Sequence, residues 1–215
     1  MQDMQTSNLH NYTIEEIIQA ESEAIKSIPK DNDYESAISL IIDRVHRQGG
    51  RLITSGMGKA GQIALNIATT FSSTGTPAYF LHPSEAQHGD LGIIRPEDVL
   101  LIISNSGKTR EVLELLDLAK FLVPDLPAIL ITGKSGCELA QQVDVCLATG
   151  DPREVCPLGL TPTTSTTVMT VIGDLLVVLT MQKIGFTYKD YSLRHHGGYL
   201  GYCSRTKSAS DQEST

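Results

Sequence analysis

Arg51-Leu52-Ile53-Thr54-Ser55-Gly56-Met57-Gly58-Lys59-Ala60-Gly61 decides the fold. The apolar run 51–55 leads into a glycine turn, and from Gly58 the apolar residues recur at helical spacing to Phe71. Further apolar runs at 77–81, 99–104, 127–132 and 143–147 alternate with helical patterns at 109–122 and, more briefly, 136–142. Runs that stay apolar along their length mark strands covered on both sides, so the pattern predicts an α/β fold: a parallel sheet with helices on both faces.

Upstream, Thr13 with Glu16 forms a capping box that opens a helix with Ile14, Ile17, Ile18, Ile25 and Ile28 on one face, and Pro29 follows its end. Tyr34, Ala37, Ile38, Ile41 and Val45 predict a second helix, stopped by Gly49-Gly50. Downstream, a loop over 148–162 leads to an apolar stretch, 168–181, interrupted by Gly173 and Asp174. That stretch reads as a buried helix, too short and too polar to span a bilayer. Residues 1–203 are expected to form a single domain that includes the two N-terminal helices, with 204–215 a frayed polar, Ser-rich tail.

Composition narrows the partners. The 17 basic and 25 acidic residues leave a formal charge of −8, with no basic run, which argues against nucleic acid but leaves room for a small anion in a local pocket. Cys137, Cys146, Cys156 and Cys203 have neither zinc-site nor disulfide-framework spacing. Residues 1–12 show no basic stretch followed by an apolar one, so no secretory signal is read and a cytoplasmic location, away from membranes, is expected.

Two loops carry chemistry. Gly56-Met57-Gly58-Lys59-Ala60-Gly61 matches the dinucleotide pattern G-x-G-x-x-G, yet the acid expected at the end of the next strand is replaced by Phe80-Leu81-His82, and Lys59 stands inside the turn. It is not a phosphate loop of the Walker type either, because Ile53 stands where that motif needs glycine. The second loop, Ser104-Asn105-Ser106-Gly107-Lys108-Thr109, sets three hydroxyls and a lysine at a helix N-terminus. Unpaired backbone N–H groups and the positive end of the helix dipole make such a place an anion site. The competing account, that Ser106 or Thr109 only caps the helix, explains one hydroxyl and not three.

These loops belong to a longer ordered set. Ser72-Ser73-Thr74-Gly75-Thr76-Pro77, His82-Pro83-Ser84-Glu85-Ala86-Gln87-His88-Gly89-Asp90-Leu91-Gly92, Glu154-Val155-Cys156-Pro157-Leu158-Gly159-Leu160-Thr161-Pro162-Thr163 and Leu193-Arg194-His195-His196-Gly197-Gly198 complete it. Together they resemble the SIS domain of arabinose-5-phosphate isomerases. The resemblance implies a five-stranded, flavodoxin-like doubly wound sheet, no metal or cofactor, and dimers or tetramers, here a homotetramer, with sites at subunit boundaries. It implies interconversion of D-ribulose 5-phosphate and D-arabinose 5-phosphate, supplying Kdo for lipopolysaccharide or capsule.

Such a reaction needs a base for the proton alpha to the carbonyl, a group that moves protons between two oxygens, and a grip on the distant phosphate. Lys59, Glu111, Glu154 and His195 align with the family's catalytic and binding positions. Lys59 sits in a helix first turn, where the dipole disfavours a cation unless an anion is bound nearby. Glu111, taken alone, is an ordinary acid at a helix start, and only the resemblance promotes it. Neither helix propensity nor strand pairing accounts for Glu154 in its loop. His195 is of the residue type that exchanges protons near neutrality. The two proton transfers fall to Glu154 and His195, in either order. Ser55, Gly56, Gly58, Thr76, Ser104, Asn105, Ser106, Lys108 and Thr109 are the implied substrate and phosphate contacts, with His88 reaching in from a neighbouring subunit.

Departures from the family pattern are Lys108, in place of an acid, and Arg194 and His196 flanking His195; the stretch after Gly201 shows no CBS module. Lys108 pairs with Glu111 in the plain account, and in the other adds charge for a feedback ligand, CMP-Kdo, held in the active site at the 104–109 loop. Heptose- or hexulose-phosphate isomerisation remains an alternative, as does a non-catalytic sugar-phosphate sensor; the missing helix-turn-helix or basic segment counts against a transcriptional regulator.

Overall fold

The structure is a computed structural model that describes residues 10–213, with side chains described through 208. Most of the stretch searched for a signal, residues 1–9, lies outside the described residues.

Five parallel strands form one sheet: β1 (Leu52–Gly56), β2 (Ala78–Phe80), β3 (Val99–Ile103), β4 (Ala128–Thr132) and β5 (Val145–Ala148), in the order β2-β1-β3-β4-β5. The helices are α1 (Ile14–Lys26), α2 (Tyr34–Ile41), α3 (Gly58–Ser73), α4 (Pro83–Ala86), α5 (Arg110–Leu122), α6 (Thr164–Ile184), α7 (Tyr188–Ser192) and α8 (Gly198–Glu213). The expected capping box is present on α1: Thr13 Oγ1 accepts from Glu16 N–H while the Glu16 carboxylate accepts from Thr13 N–H.

Alternation along each strand divides the core in two. Leu52, Leu101, Ile103, Ile129 and Ile131 pack with α1, α2, α3 and α6, whereas Ile53, Leu100, Ile102 and Leu130 pack with α4, α5 and the turn at Leu139. β1, β3 and β4 are buried along their whole length, which is why they read as unbroken apolar runs. Each fully buried Leu or Ile there contributes about 1.5–3 kcal/mol. The β5 edge is closed by Asn32, whose amide accepts from Ala148 N–H at 2.8 Å and donates to Ala148 C=O at 2.9 Å. At the amino edge of the sheet, buried Asp98 accepts from Arg51 N–H, the Arg51 guanidinium and Arg95 N–H at 2.8–2.9 Å, so its charge is not left uncompensated.

Two expectations are corrected. The stretch expected to fray from residue 204 is helical as far as it is described: α8 continues to Glu213, and Ser204 is buried with its hydroxyl donating to Gly201 C=O at 3.0 Å. The apolar helix is also longer than its sequence run. At 21 residues, α6 is long and apolar enough to cross a bilayer by length and composition; half of its most apolar window is buried in the fold, where it packs on α1, α2, α3 and β4.

Candidate active site

The strand order reverses direction between β1 and β3, so the segments leaving their carboxyl ends diverge and open a crevice between them. A cavity of about 230 Å³ occupies it, lined by Met57, Lys59 and Ala60 after β1, and by Ser104, Asn105, Ser106 and Thr109 after β3. The N-terminus of α6 closes the cavity with Pro162, Ser165, Thr166 and Met169. Its size suits a small polar ligand rather than a dinucleotide.

Tight packing sets the position of Lys59. A Cβ on Gly61 would lie 2.5 Å from the Gly56 carbonyl oxygen, so only glycine lets α3 start this close to β1. Thr109 occupies the N-cap position of α5 without a side-chain capping bond; its hydroxyl lies 3.3 Å from Ser104 Oγ instead. Gly107 N–H donates to Ser104 Oγ at 3.2 Å, and Lys108 N–H to Ser106 Oγ at 3.2 Å. The backbone N–H groups of Asn105, Ser106 and Thr109 find no acceptor among the described residues. Hydroxyls not spent on capping, unpaired N–H groups and a helix dipole are together the groups that can receive an anion.

Glu154 stands beside this crevice with one carboxylate oxygen on the first turn of α6. Oε2 accepts from Thr163 N–H at 2.7 Å, Thr163 Oγ1 at 2.9 Å and Ser165 N–H at 3.2 Å. Partial burial pushes its pKa up, but the hydrogen bonds from Ser165 and Thr163 outweigh it and hold the carboxyl below its ordinary range. Two residues on, the Cys156 sulfur accepts from Leu160 and Thr161 N–H, both at 3.1 Å. The Thr161 N–H, chiefly, pulls that thiol down to about 7.

The other expected residues divide. Ser55 and Gly56 end β1 beside the crevice but are buried, with Ser55 Oγ donating to Leu81 C=O at 2.6 Å, so Ser55 ties β1 to the end of β2. Gly58 is exposed at the head of α3, and Lys108 at the outer side of the phosphate loop, away from the cavity lining. Lys108 makes no ion pair with Glu111 among the described residues, and Glu111 is half-buried in the first turn of α5, outside the cavity lining. His88 is exposed after α4.

Thr76 lies away from the crevice of its own chain. It precedes β2, at the amino edge of the parallel sheet and so at the end opposite the crevice, where it is buried with its hydroxyl 3.0 Å from His46 Nε2. His195 lies at that end too. Phe186, just beyond α6, packs over Gly75 in the turn before β2, with Arg194 above its ring, and His195 stacks on Tyr191 at 3.7 Å between ring centroids. The length of α6, about 30 Å at 1.5 Å per residue, therefore separates His195 from the Glu154 end of the same helix. A larger cavity of about 630 Å³ lies beside α7 and α8, lined by Phe186, Tyr188, Tyr191 and Leu200 among others, and holds none of the candidate residues. The contribution of Ser165 and Thr166 escaped the sequence reading, although the threonine-rich run before the apolar helix was its visible signal. Among the described residues, no three His, Cys, Asp or Glu side chains form a metal-binding group.

The SIS-domain profile matches residues 46–179, more than half of the chain. The chain belongs to the SIS-domain family. This SIS chain is 41% identical over 186 residues to the arabinose 5-phosphate isomerase KdsD of Salmonella typhi, which covers 86% of this chain and 56% of that protein. It thus spans little more than half the length of the curated relatives it matches. Among solved structures, a Bacteroides fragilis protein described as a candidate phosphosugar isomerase involved in capsule formation is 63% identical, with a TM-score of 0.85, over 86% of this chain and 97% of that one. An Escherichia coli CFT073 protein solved in complex with arabinose 5-phosphate is 34% identical, with a TM-score of 0.73, over 82% and 92%. The five-stranded parallel sheet expected of an SIS domain is the sheet observed.

Proposed function

We propose that the protein is an aldose–ketose isomerase that interconverts D-ribulose 5-phosphate and D-arabinose 5-phosphate through an enediolate. The observation that carries this reading is the crevice itself, where a hydroxyl-rich loop with unpaired N–H groups, Lys59 and the α6 N-terminus with Glu154 meet at the sheet's switch point. The likeness to the KdsD isomerases and to the protein solved with arabinose 5-phosphate supports the choice of sugar.

In this reading Ser104, Ser106 and Thr109, with the free N–H groups of their loop, hold the phosphate, and binding energy from that remote end orients the reacting carbons. Lys59 donates to the sugar oxygens as negative charge develops on them. Glu154 is ionised at neutral pH, as a base must be, and its Oε1 is the oxygen left for substrate. His195 serves as the second proton carrier, and because α6 holds it at the far end of its own chain, it comes from another copy. The protein is therefore a homo-oligomer, a tetramer in this reading, with sites completed across subunit boundaries by His195 and His88. It works in the cytoplasm and supplies Kdo for lipopolysaccharide or capsule. CMP-Kdo, with its phosphate and sugar acid, fits the same loop as a feedback ligand.

Comparing kcat/KM for ribulose 5-phosphate with six- and seven-carbon ketose phosphates tests the reading. Preferred turnover of the five-carbon substrate is expected; preferred turnover of a longer one would replace the substrate, and no turnover of any would remove the enzyme.

A further inference from the structure

Behind the phosphate loop lies another cavity, of about 510 Å³, lined by Ser106, Lys108, Gly133, Lys134, Ser135 and Gly136, with Cys137 at its base. It is formed by two loops locked together. A Cβ on Gly107 would sit 2.1 Å from Cys137 Sγ, and one on Gly133 would sit 2.6 Å from Asn105 Oδ1. Gly133 N–H donates to Asn105 C=O at 3.1 Å, and the Thr132 hydroxyl to the same carbonyl at 3.3 Å. The pocket is thus built before any ligand arrives.

Its chemistry is one-sided. Lys108 has no ionic partner among the described residues, and the N–H groups of Ser135 and Gly136 have no acceptor there. Lys134 contacts Asp151, so two positive side chains and one negative one face the region. An entering anion competes with Asp151 for Lys134 and takes Lys108 unopposed. Two ammonium groups, two hydroxyls and adjacent free N–H groups match the several oxygens of a phosphate better than a single carboxylate.

We propose that this cleft is a second anion site, taking inorganic phosphate or a phosphate monoester, and that it communicates with the substrate-phosphate loop through Ser106, which lines both cavities. The proposal rests on the reading of the 104–109 loop as the substrate-phosphate site. Phosphate in the rear pocket places negative charge across one hydroxyl from the substrate's phosphate, so it raises KM for the sugar phosphate.

Titrating the full chain with inorganic phosphate in phosphate-free buffer, following backbone amide resonances, tests the proposal, with methyl phosphate as a parallel arm. Two sets of shifts are expected, one at Asn105 and Thr109, the other at Ser135 and Gly136. Gly136 has a negative φ and open space where a Cβ would stand, so Gly136→Asp fits the fold and introduces a repelling carboxylate. That variant should lose the second set alone and, without added phosphate, keep the wild-type kcat and KM; Lys134→Gln should weaken the second set about tenfold. Ser104→Ala should weaken only the first set. Methyl phosphate shifting Ser135 and Gly136 as strongly as inorganic phosphate would make the ligand an ester, and its failure there would make it the free ion. A single set at the front loop, indifferent to Gly136→Asp, would overturn the second site and leave the front loop standing. No binding at either loop would overturn both.

Discussion

Thr109 begins α5 yet does not cap it, and that withheld hydroxyl is the plainest sign of a ligand at the residue scale. Replacing Ser104, Ser106 and Thr109 together with Ala should raise KM for the sugar phosphate and lower kcat as well, because the phosphate grip orients the distant carbons. Steady-state kinetics check this, and unchanged constants would remove the phosphate from the loop. His195→Asn should lower kcat by roughly 10²–10⁴-fold, the range of a positioned proton carrier, while His196→Asn should leave it nearly intact. The reverse order would mean that the neighbouring histidine is the one that acts. At this scale the sequence was informative where a residue type broke a local rule, as Lys59 does in a helix first turn. Thr76 precedes an apolar strand run, and that place already put it on the amino edge of a parallel sheet, away from its own chain's crevice. Nothing local in the sequence around His195 shows which end of the fold it occupies, because that follows from the packing of Phe186 on Gly75.

The decisive element is α6. Its first turn holds Glu154 and its last turn leads to the α7 corner, so one helix sets both the position of the carboxylate and the distance to the histidine. Because its hydrogen bonds hold Glu154 below the ordinary 4.5, the unfolded chain binds its proton more readily than the folded one, and folding stability rises with pH across that range. The contribution is present in full above the ordinary value and is lost as pH falls through the lowered folded one. Thermal midpoints measured from pH 6 down to pH 3 should therefore fall more steeply for the wild type than for Glu154→Gln; parallel curves would show that the carboxylate does not anchor the helix. The strands, and the helices α1, α3 and α5, were legible within about two residues, because burial on two faces leaves an unmistakable apolar run in the strands and one-sided packing leaves helical spacing in those helices. The start of α6 and the length of α8 were less so. Serine-rich α8 is held by contacts that composition does not announce: a Cβ on Gly201 would lie 2.3 Å from the His195 carbonyl oxygen, and Ser204 is buried with its hydroxyl on Gly201 C=O.

At the scale of the whole molecule, the proposed reading gives one chain half of a catalytic set. The crevice gathers the phosphate loop, Lys59 and Glu154 at the carboxyl edge of the sheet, while His195 stands at the other end of α6. If both residues transfer protons in one reaction, two copies must meet so that one copy's crevice faces the other's α7 corner. The most direct measurement is activity after mixing two inactive proteins, Glu154→Gln and His195→Asn, under conditions where subunits exchange. Each variant alone should be nearly inactive. After exchange, some hybrid boundaries pair an intact crevice with an intact histidine, and random mixing of a two-fold pair should restore about a quarter of the wild-type rate. No recovery, with subunit exchange verified by mass, would contradict a site shared between copies.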